Sequence, residues 1–401
     1  MSDWPKVRLG ELGAWYGGGT PSKNRPDFWA EGTFPWLSPK DMGPETLSGT
    51  RDQITQAAVD GSAARLISAN SVAIVVRSGI LERKLPVAVV PFVTTINQDM
   101  RALLPGPGVS PGWVAWALRA HEQQLLDTCR KRGTTVASLE GRRLMDFSIP
   151  LPDLPMQRRI VAILEDHLSR LEFSGRLNES ILRRVKALRL STLSNFWHRA
   201  DQYAGLSPVA SAGRIITGRT PSANMADAFG GEILFVTPGD VGKGGLVGSA
   251  QRTLSPSGAA SSRLIGPDAV VVVCIGATIG KVGWLDRPAA TNQQLNAIDL
   301  RDGRILPRYM AAALATPQFQ RQISRHASNT TIPLLNKSNF SRLQVPLPDV
   351  ARQQQLLQEL DVSEAAISRL TATQHVLRIK VAGLRYALLS AAFSGQFPAS
   401  W

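Results

Sequence analysis

The stretch Gly276-Ala-Thr-Ile-Gly-Lys281-Val-Gly283 has the composition of a loop that cradles phosphate. Its spacing is one residue short of GxxxxGK, and Val282 stands where a Ser or Thr hydroxyl would hold magnesium. A nucleotide-hydrolysing enzyme built on the Gly276–Lys281 loop is therefore only an alternative. No strand-anchored GxGxxG and no HExxH pair is present, and no serine elbow is expected. Nor is there an Asn-Pro-Pro or Asp-Pro-Pro with which an amino-methyltransferase grips its target base. The Pro-Asp pairs at 26–27 and 267–268 are not expected to form a metal-dependent nuclease. His121, His167, His198, His326 and His375 are scattered, and Cys129 and Cys274 lie far apart with no CxxC. That excludes a disulfide framework and a zinc site of ordinary ligand spacing. No catalytic and no metal-binding residue is assigned; the chain is expected to read and not to cut.

The polar loops are better placed to do chemistry. Gly17-Gly-Gly-Thr20-Pro-Ser22-Lys23-Asn24-Arg25 and Thr217-Gly-Arg219-Thr220-Pro-Ser222-Ala-Asn224 set hydroxyls, amides and cations on glycine-rich backbone. This mixture suits phosphate oxygens and base edges, and an ordinary Gly-Pro turn is the competing reading. Lys40, Arg77, Arg83, Lys84, Arg132 and Thr134 extend the first candidate DNA-binding set. Lys243, Lys281, Asn329, Thr330 and Lys337 extend the second.

Charge supports that direction. The 401 residues carry 45 Lys and Arg against 31 Asp and Glu, a formal net charge of +14. Such an excess holds a protein near polyanions, because neutralising phosphates releases condensed counterions. Hydrophobic residues make up 43% and charged residues 19%, so a packed core is available and intrinsic disorder is excluded. The longest apolar run, Ala269 to Ala277, is far short of a bilayer span, and the N-terminus lacks a signal h-region. A cytoplasmic, non-membrane protein is expected.

The elements that must position these loops come in two copies. Thr20-Pro-Ser22 recurs as Thr220-Pro-Ser222, and Phe34-Pro-Trp36 is answered by Leu234-Phe-Val236, at an offset of about 200. Asn97-Gln98 answers Asn292-Gln293, Thr134-Thr135 answers Thr330-Thr331, and Ile149-Pro-Leu-Pro-Asp153 with Gln157 answers Val345-Pro-Leu-Pro-Asp349 with Gln353, at about 196. Each copy predicts an α+β region and then a long helix: 1–152, helix 153–200, 201–348, helix 349–401. Buried strands are expected at 72–76, 87–93, 233–237 and 269–275, with helices at 112–127 and 307–325.

Asp153 and Asp349 are good N-caps, and the periodicity after them is that of a heptad seam. In the first copy it comprises Ile160, Leu164, Leu171, Asn178, Ile181, Val185 and Leu188, and in the second Leu356, Leu360, Ile367, Leu370, Gln374, Leu377, Val381, Leu384 and Leu388. Asn178 and Gln374 occupy a positions, where a polar residue fixes register at some cost in stability; solvated breaks in an imperfect amphipathic helix are the other reading. Gly175 is the expected place for a bend. Each stripe needs a partner, and the other copy is the nearest: an antiparallel pair would relate the halves by a pseudo-twofold axis. A helix from Ile160 to Thr192 spans about 48 Å, enough to hold two heads about a turn of duplex apart.

With these residues in view, the chain resembles the specificity (S) subunit of type I restriction-modification systems. The resemblance is carried by Pro150-Leu-Pro-Asp153 with Gln157-Arg-Arg-Ile-Val161, by Gly276–Gly283 followed by Thr291-Asn-Gln-Gln294, and by Leu384-Arg-Tyr-Ala-Leu-Leu-Ser-Ala-Ala-Phe393-Ser-Gly395. It covers essentially the whole chain. The resemblance implies two mixed α/β target recognition domains, each reading one half of a bipartite, asymmetric DNA site, and two long helices forming an antiparallel coiled coil. It implies docking of two methyltransferase (modification) subunits on those helices, and translocating endonuclease subunits beyond them. S-adenosylmethionine, ATP and magnesium would then be bound by the partners and none by this chain. Val76-Arg-Ser-Gly-Ile-Leu-Glu-Arg-Lys84 replaces the Gly-Ala-Thr-Ile-Gly-Lys loop in the first half, so the heads should read different sequences. A helical scaffold with non-specific DNA affinity is the remaining alternative.

Overall fold

A computed structural model describes residues 4–131, 135–222, 224–225, 227–300, 302–328 and 332–394; all structural statements concern these. The chain divides into two compact units, Met1–Leu177 with Leu377–Trp401, and Asn178–Val376.

In the first unit the strands Gly13–Gly17, Met100–Pro105, Ser71–Val75 and Val87–Val90 form an antiparallel sheet in that order. Asp52–Ile54, Phe34–Leu37 and Thr95–Ile96 form a smaller mixed sheet, and Lys6–Arg8 pairs with Ser148–Pro150. Ser71–Val75 is buried at every position, as a run of β-branched and small residues covered on both faces must be. The expected helix at 112–127 is two helices, Pro111–Ala120 and Glu122–Cys129. The break is at His121, whose Nδ1 meets the Ala117 carbonyl at 2.9 Å and caps the first of them.

In the second unit the order is Arg214–Thr217, Leu295–Asp299, Ala269–Val273, Val282–Trp284 and Lys243–Leu246. A second sheet runs Arg252–Leu254, Phe229–Val236, Ala289–Thr291 and Leu264–Ile265, and Leu206–Pro208 pairs with Gln344–Pro346. The helix expected at 307–325 is also split, into Pro307–Leu314 and Pro317–His326. Pro317 cannot continue the first helix and opens the second, with Thr316 capping it.

The repeat is visible in packing, with one correction. Leu37 pairs with Ile96 immediately before Asn97, and Val236 pairs with Thr291 immediately before Asn292. Leu37 is thus the counterpart of Val236, and Trp36 of Phe235. The alignment of Phe34-Pro-Trp36 with Leu234-Phe-Val236 is one residue out of register, which on a strand exchanges the two faces.

The central helix, Leu154–Ala204, and the C-terminal helix, Val350–Phe393, contribute one half each to both units. Asp153 Oδ1 accepts from Met156 N and Asp349 Oδ1 from Arg352 N, each at 2.9 Å, so both predicted caps form. The central helix runs through Gly175 without a break. In the first unit Ile160, Leu164 and Leu168 share a core with Trp113, Trp116, Ala392 and Phe393. In the second, Phe196, Trp197 and Ala200 share one with Tyr309, Phe319, Leu356 and Leu357. Trp113 Nε1 donates to the Pro150 carbonyl and Tyr309 Oη to that of Pro346, both at 2.9 Å. The helices run antiparallel: Asn178 Nδ2 donates to the Gln374 carbonyl at 3.4 Å, Arg189 pairs with Glu364 at 2.9 Å, and Arg199 pairs with Glu359.

The seam is narrower than its sequence pattern. Ile160, Leu164, Asn178, Val185, Leu356, Ile367 and Gln374 are buried, and Leu171, Ile181, Leu360, Val381 and Leu388 are half-buried. Leu188, Leu370, Leu377 and Leu384 do not belong to it, being 49%, 44%, 39% and 53% exposed. Two helices alone cover only part of each other's apolar stripe, and these four leucines keep a wet flank. Leu370→Asp is accordingly expected to shift stability by no more than about 0.5 kcal/mol, measured by urea denaturation.

Candidate nucleic-acid interface

The first polar loop leaves the strand Gly13–Gly17 against the turn that follows Thr95–Ile96. Gly18 packs so closely that an added Cβ would lie 1.9 Å from the Asn97 carbonyl oxygen, which leaves glycine as the residue that fits. Gly19 N donates to the Ile96 carbonyl at 2.9 Å. Asn97 Oδ1 accepts from Asp99 N at 3.0 Å, a turn that pushes Gln98 outward, where the Thr20 hydroxyl donates to its Oε1. Next to it Asp41 accepts from Ser38 N, Ser38 Oγ and Arg51 N at 2.9, 3.0 and 2.9 Å.

The second unit repeats the close glycine, the asparagine turn and the side-chain hydrogen bonds. A Cβ on Gly218 would lie 2.1 Å from the Asn292 carbonyl oxygen. Asn292 Oδ1 accepts from Gln294 N at 3.2 Å, and Thr220 Oγ1 donates to Gln293 Oε1 at 2.7 Å. Asp240 accepts from Thr237 N, Thr237 Oγ1 and Gln251 N at 2.8, 2.7 and 2.9 Å.

A further loop joins each edge. In the first unit Val76 N and Arg77 N both donate to the Asp99 carbonyl, the Arg77 guanidinium lies 3.8 Å from its carboxylate, and Ser78 N donates to the Ala137 carbonyl. In the second, Cys274 N donates to the Gln294 carbonyl and Gly276 N to that of Pro333. Lys281 Nζ reaches the Pro238 carbonyl at 3.4 Å, tying the Gly276–Gly283 loop to the Thr237–Asp240 turn.

This sorts the candidates. Thr20 and Arg77 bond into the first edge and Thr220 and Lys281 into the second, while Ser22, Lys40, Arg219 and Ser222 are exposed on the adjoining loops. Lys23 and Asn24 are exposed on the first loop. Arg25 stacks over Phe28 and is paired at 2.6 Å with Asp27, whose hydrogen bond raises the guanidinium and lowers the carboxyl from their ordinary values. Lys337 is exposed at the start of the helix Lys337–Arg342. Arg83 and Lys84 follow the short helix Gly79–Glu82 away from the first edge, and Lys84 lines a cleft of about 1010 Å³ with Glu45, Arg119, Arg385 and Phe393. Burial there lowers Arg119 and raises Glu45. Arg132, Thr134, Asn329 and Thr330 lie outside the described residues, as does the side chain of Lys243. Gln98, Gln293, Asp41 and Asp240 were not among the candidates; the signal was present in the repeated Asn-Gln pair and in Ser-Pro-x-Asp against Thr-Pro-x-Asp.

Among the described residues, the loop and the two short catalytic motifs adopt other geometry. A phosphate loop joins a strand to a helix N-terminus, whereas Gly276–Gly283 joins the antiparallel strands Ala269–Val273 and Val282–Trp284. Gly108-Val-Ser110-Pro-Gly112 does have serine-elbow spacing, contrary to expectation. Ser110 immediately precedes the helix Pro111–Ala120 and its N–H donates to Gln157 Oε1 at 2.8 Å; among the described residues no hydrogen bond joins its hydroxyl to a histidine. Glu82-Arg-Lys84 supplies an acid-x-Lys after Pro26-Asp27, but Glu82 pairs with Arg130 at 3.1 Å and Asp27 with Arg25. Among the described residues no group of three or more His, Cys, Asp or Glu is placed to hold a metal, and no helix is long and apolar enough to cross a membrane. Burial pushes the Cys274 thiol up to about 12 and also raises Cys129. Iodoacetamide at pH 8 is therefore expected to label neither cysteine until the chain is unfolded, which mass spectrometry would check.

Comparison with known proteins agrees with this geometry. The type I restriction modification DNA specificity domain matches residues 1–183 and 209–377. The type I restriction enzyme EcoR124I/EcoR124II specificity subunit of Escherichia coli is 45% identical over 157 residues, 39% of this chain and 39% of that protein. The HindI specificity subunit of Haemophilus influenzae is 30% identical over 146 residues, 36% of this chain and 31% of that protein. The matched stretches thus span well under half the length of these relatives. Among solved structures, one from a study of complex assembly and conformational transition of the type I R-M system superposes with a TM-score of 0.78 at 18% identity, covering 98% of each chain. The HsdS subunit of Thermoanaerobacter tengcongensis gives 0.64 at 18% identity, covering 99% of this chain and 98% of that one. A specificity-domain match that occurs twice and spans most of the chain leaves a single assignment: the chain belongs to the type I restriction-modification DNA specificity family.

Proposed function

We propose that this chain is the non-catalytic subunit that gives a type I restriction-modification complex its DNA sequence specificity. Each unit reads one half of a bipartite, asymmetric site, and methyltransferase subunits dock on the long helices. The observation that carries this is the edge built twice from Gly18, Thr20, Asn97 and Gln98 and from Gly218, Thr220, Asn292 and Gln293, flanked by loops that differ between the units. Leu188 and Leu384, one repeat apart, leave an equivalent apolar flank on each helix, which supports two docked methyltransferases. S-adenosylmethionine, ATP and magnesium belong on those partners and on translocating endonuclease subunits, and the complex works in the cytoplasm.

The test is to express the chain with a methyltransferase subunit encoded beside it and map adenine methylation across the genome. One motif of two defined segments around an unread spacer is expected. Absence of any motif would leave the scaffold reading, and nucleotide turnover abolished by Lys281→Ala would leave the hydrolase. The charged candidates separate by position: Lys40→Ala should reduce the slope of log affinity against log salt by about one, and Lys84→Ala should leave it unchanged.

A further inference from the structure

The two units present different loops around a common element. The loops that carry its threonine partner continue with Lys23, Asn24 and Arg25 in the first unit and Asn224 in the second, and Arg77-Ser-Gly-Ile stands against Gly276-Ala-Thr-Ile. The common element is a glutamine at the tip of an asparagine turn, Gln98 or Gln293, exposed to solvent. In each, a threonine hydroxyl donates to Oε1 and so orients the amide. Among the described residues neither Nε2 has a hydrogen-bond partner, so each glutamine offers two aimed N–H donors.

A group identical in both units cannot discriminate the different half-sites expected of them. It must meet what every duplex offers, and the phosphodiester oxygens are acceptors that match two N–H donors. Reading adenine would instead require Oε1 to accept from the base, and the threonine already occupies one of its acceptor directions. We infer that Gln98 Nε2 and Gln293 Nε2 each donate to a DNA phosphate and thereby set how each unit is seated on the duplex. This rests on the DNA-reading function proposed above.

The experiment uses the full chain and a pool of randomised duplexes, with bound sequences read out and affinities measured over a salt series. Gln98→Met and Gln293→Met keep the length of the side chain and remove its donors. Each is expected to weaken binding about ten- to a hundredfold, the range for a hydrogen bond to a charged group. The enriched motif should be unchanged, and the salt slope should hold, since no cation is lost. Gln98→Glu and Gln293→Glu still accept from the threonine hydroxyl but turn a carboxylate toward the phosphate, so they should bind at least as weakly as the Met variants. If the glutamine only steadies its loop, the Glu variants will bind like the parent chain, and the inference is overturned. Relaxed preference at one base pair would also overturn it, by showing a base reader. A parent chain that enriches no motif removes the DNA-reading function itself, a result distinct from variants that bind normally beside a parent that does enrich one.

Discussion

Gln353→Leu is expected to lower the stability of the chain by about 2–4 kcal/mol, because one buried and two part-buried backbone groups lose their partner at once. Gln353 is completely buried. Its Oε1 accepts from Leu306 N at 2.7 Å, and its Nε2 donates to the carbonyls of Arg304 and Pro348 at 2.9 and 2.7 Å. One side chain on the first turn of the C-terminal helix thus joins the Pro-Leu-Pro-Asp connection to the segment that leads into the helix Pro307–Leu314. Gln157 does the same in the first unit, accepting from Ser110 N at 2.8 Å and donating to Gly108 and Pro152 at 3.0 and 2.7 Å. Leu fills much of the volume but satisfies none of the three groups; a buried group left unpaired costs about 1–3 kcal/mol, and the two part-buried ones, which water can reach, cost less. The midpoint of urea denaturation reads the effect, and an unchanged midpoint would refute the clamp. Gln353→Glu supplies a check on sign. A carboxylate would face two carbonyl oxygens, so its folded-state pKa must lie above the unfolded value of about 4.3. Its deficit relative to the parent chain should be full above that raised pKa and shrink as pH falls through it.

The clamp was legible as a motif, and its mechanism was not. Pro-Leu-Pro-Asp with a glutamine four residues on appears twice, and an aspartate before a helical pattern announces a cap. Two of the three partners of that glutamine lie 47 to 49 residues earlier in the chain, contacts that local pattern does not encode. The interface behaved similarly. Glycine hinges and hydroxyls marked the Thr-Pro-Ser loops, but Gln98 and Gln293 became visible only once a turn beyond the next sheet strand was brought to them. Lys84 shows the opposite failure: a cation in the connection after the strand Ser71–Val75 looks like part of the loop, and a single turn of 3₁₀ helix carries it away from the edge. Helix breaks at His121 and Thr316 interrupt apolar periodicities that continue across them in sequence, since the same face remains buried after the chain re-enters a helix.

The four leucines that fall outside the seam lead to the second large effect. Leu188→Asp together with Leu384→Asp is expected to weaken capture of the methyltransferase subunit by about a thousandfold, while the urea midpoint moves by less than about 0.5 kcal/mol in stability. Heptad arithmetic alone predicts the reverse, since aspartate in a buried seam would part the helices and unfold both ends. Their exposures of 49% and 53% decide between the two outcomes: in the free chain a carboxylate at either position stays in water and costs little. The penalty arises only when a partner covers the flank, because an aspartate buried there without a cation must give up its hydration. Retaining leucine on a wet surface at repeat-related positions, next to a seam already occupied by Val185 and Val381, makes sense if a second apolar surface is to cover it. Pull-down of the co-expressed methyltransferase by the double variant, alongside the urea titration of the purified chain, separates the possibilities. Normal capture would show that the partner binds elsewhere, and loss of stability would return these leucines to the seam.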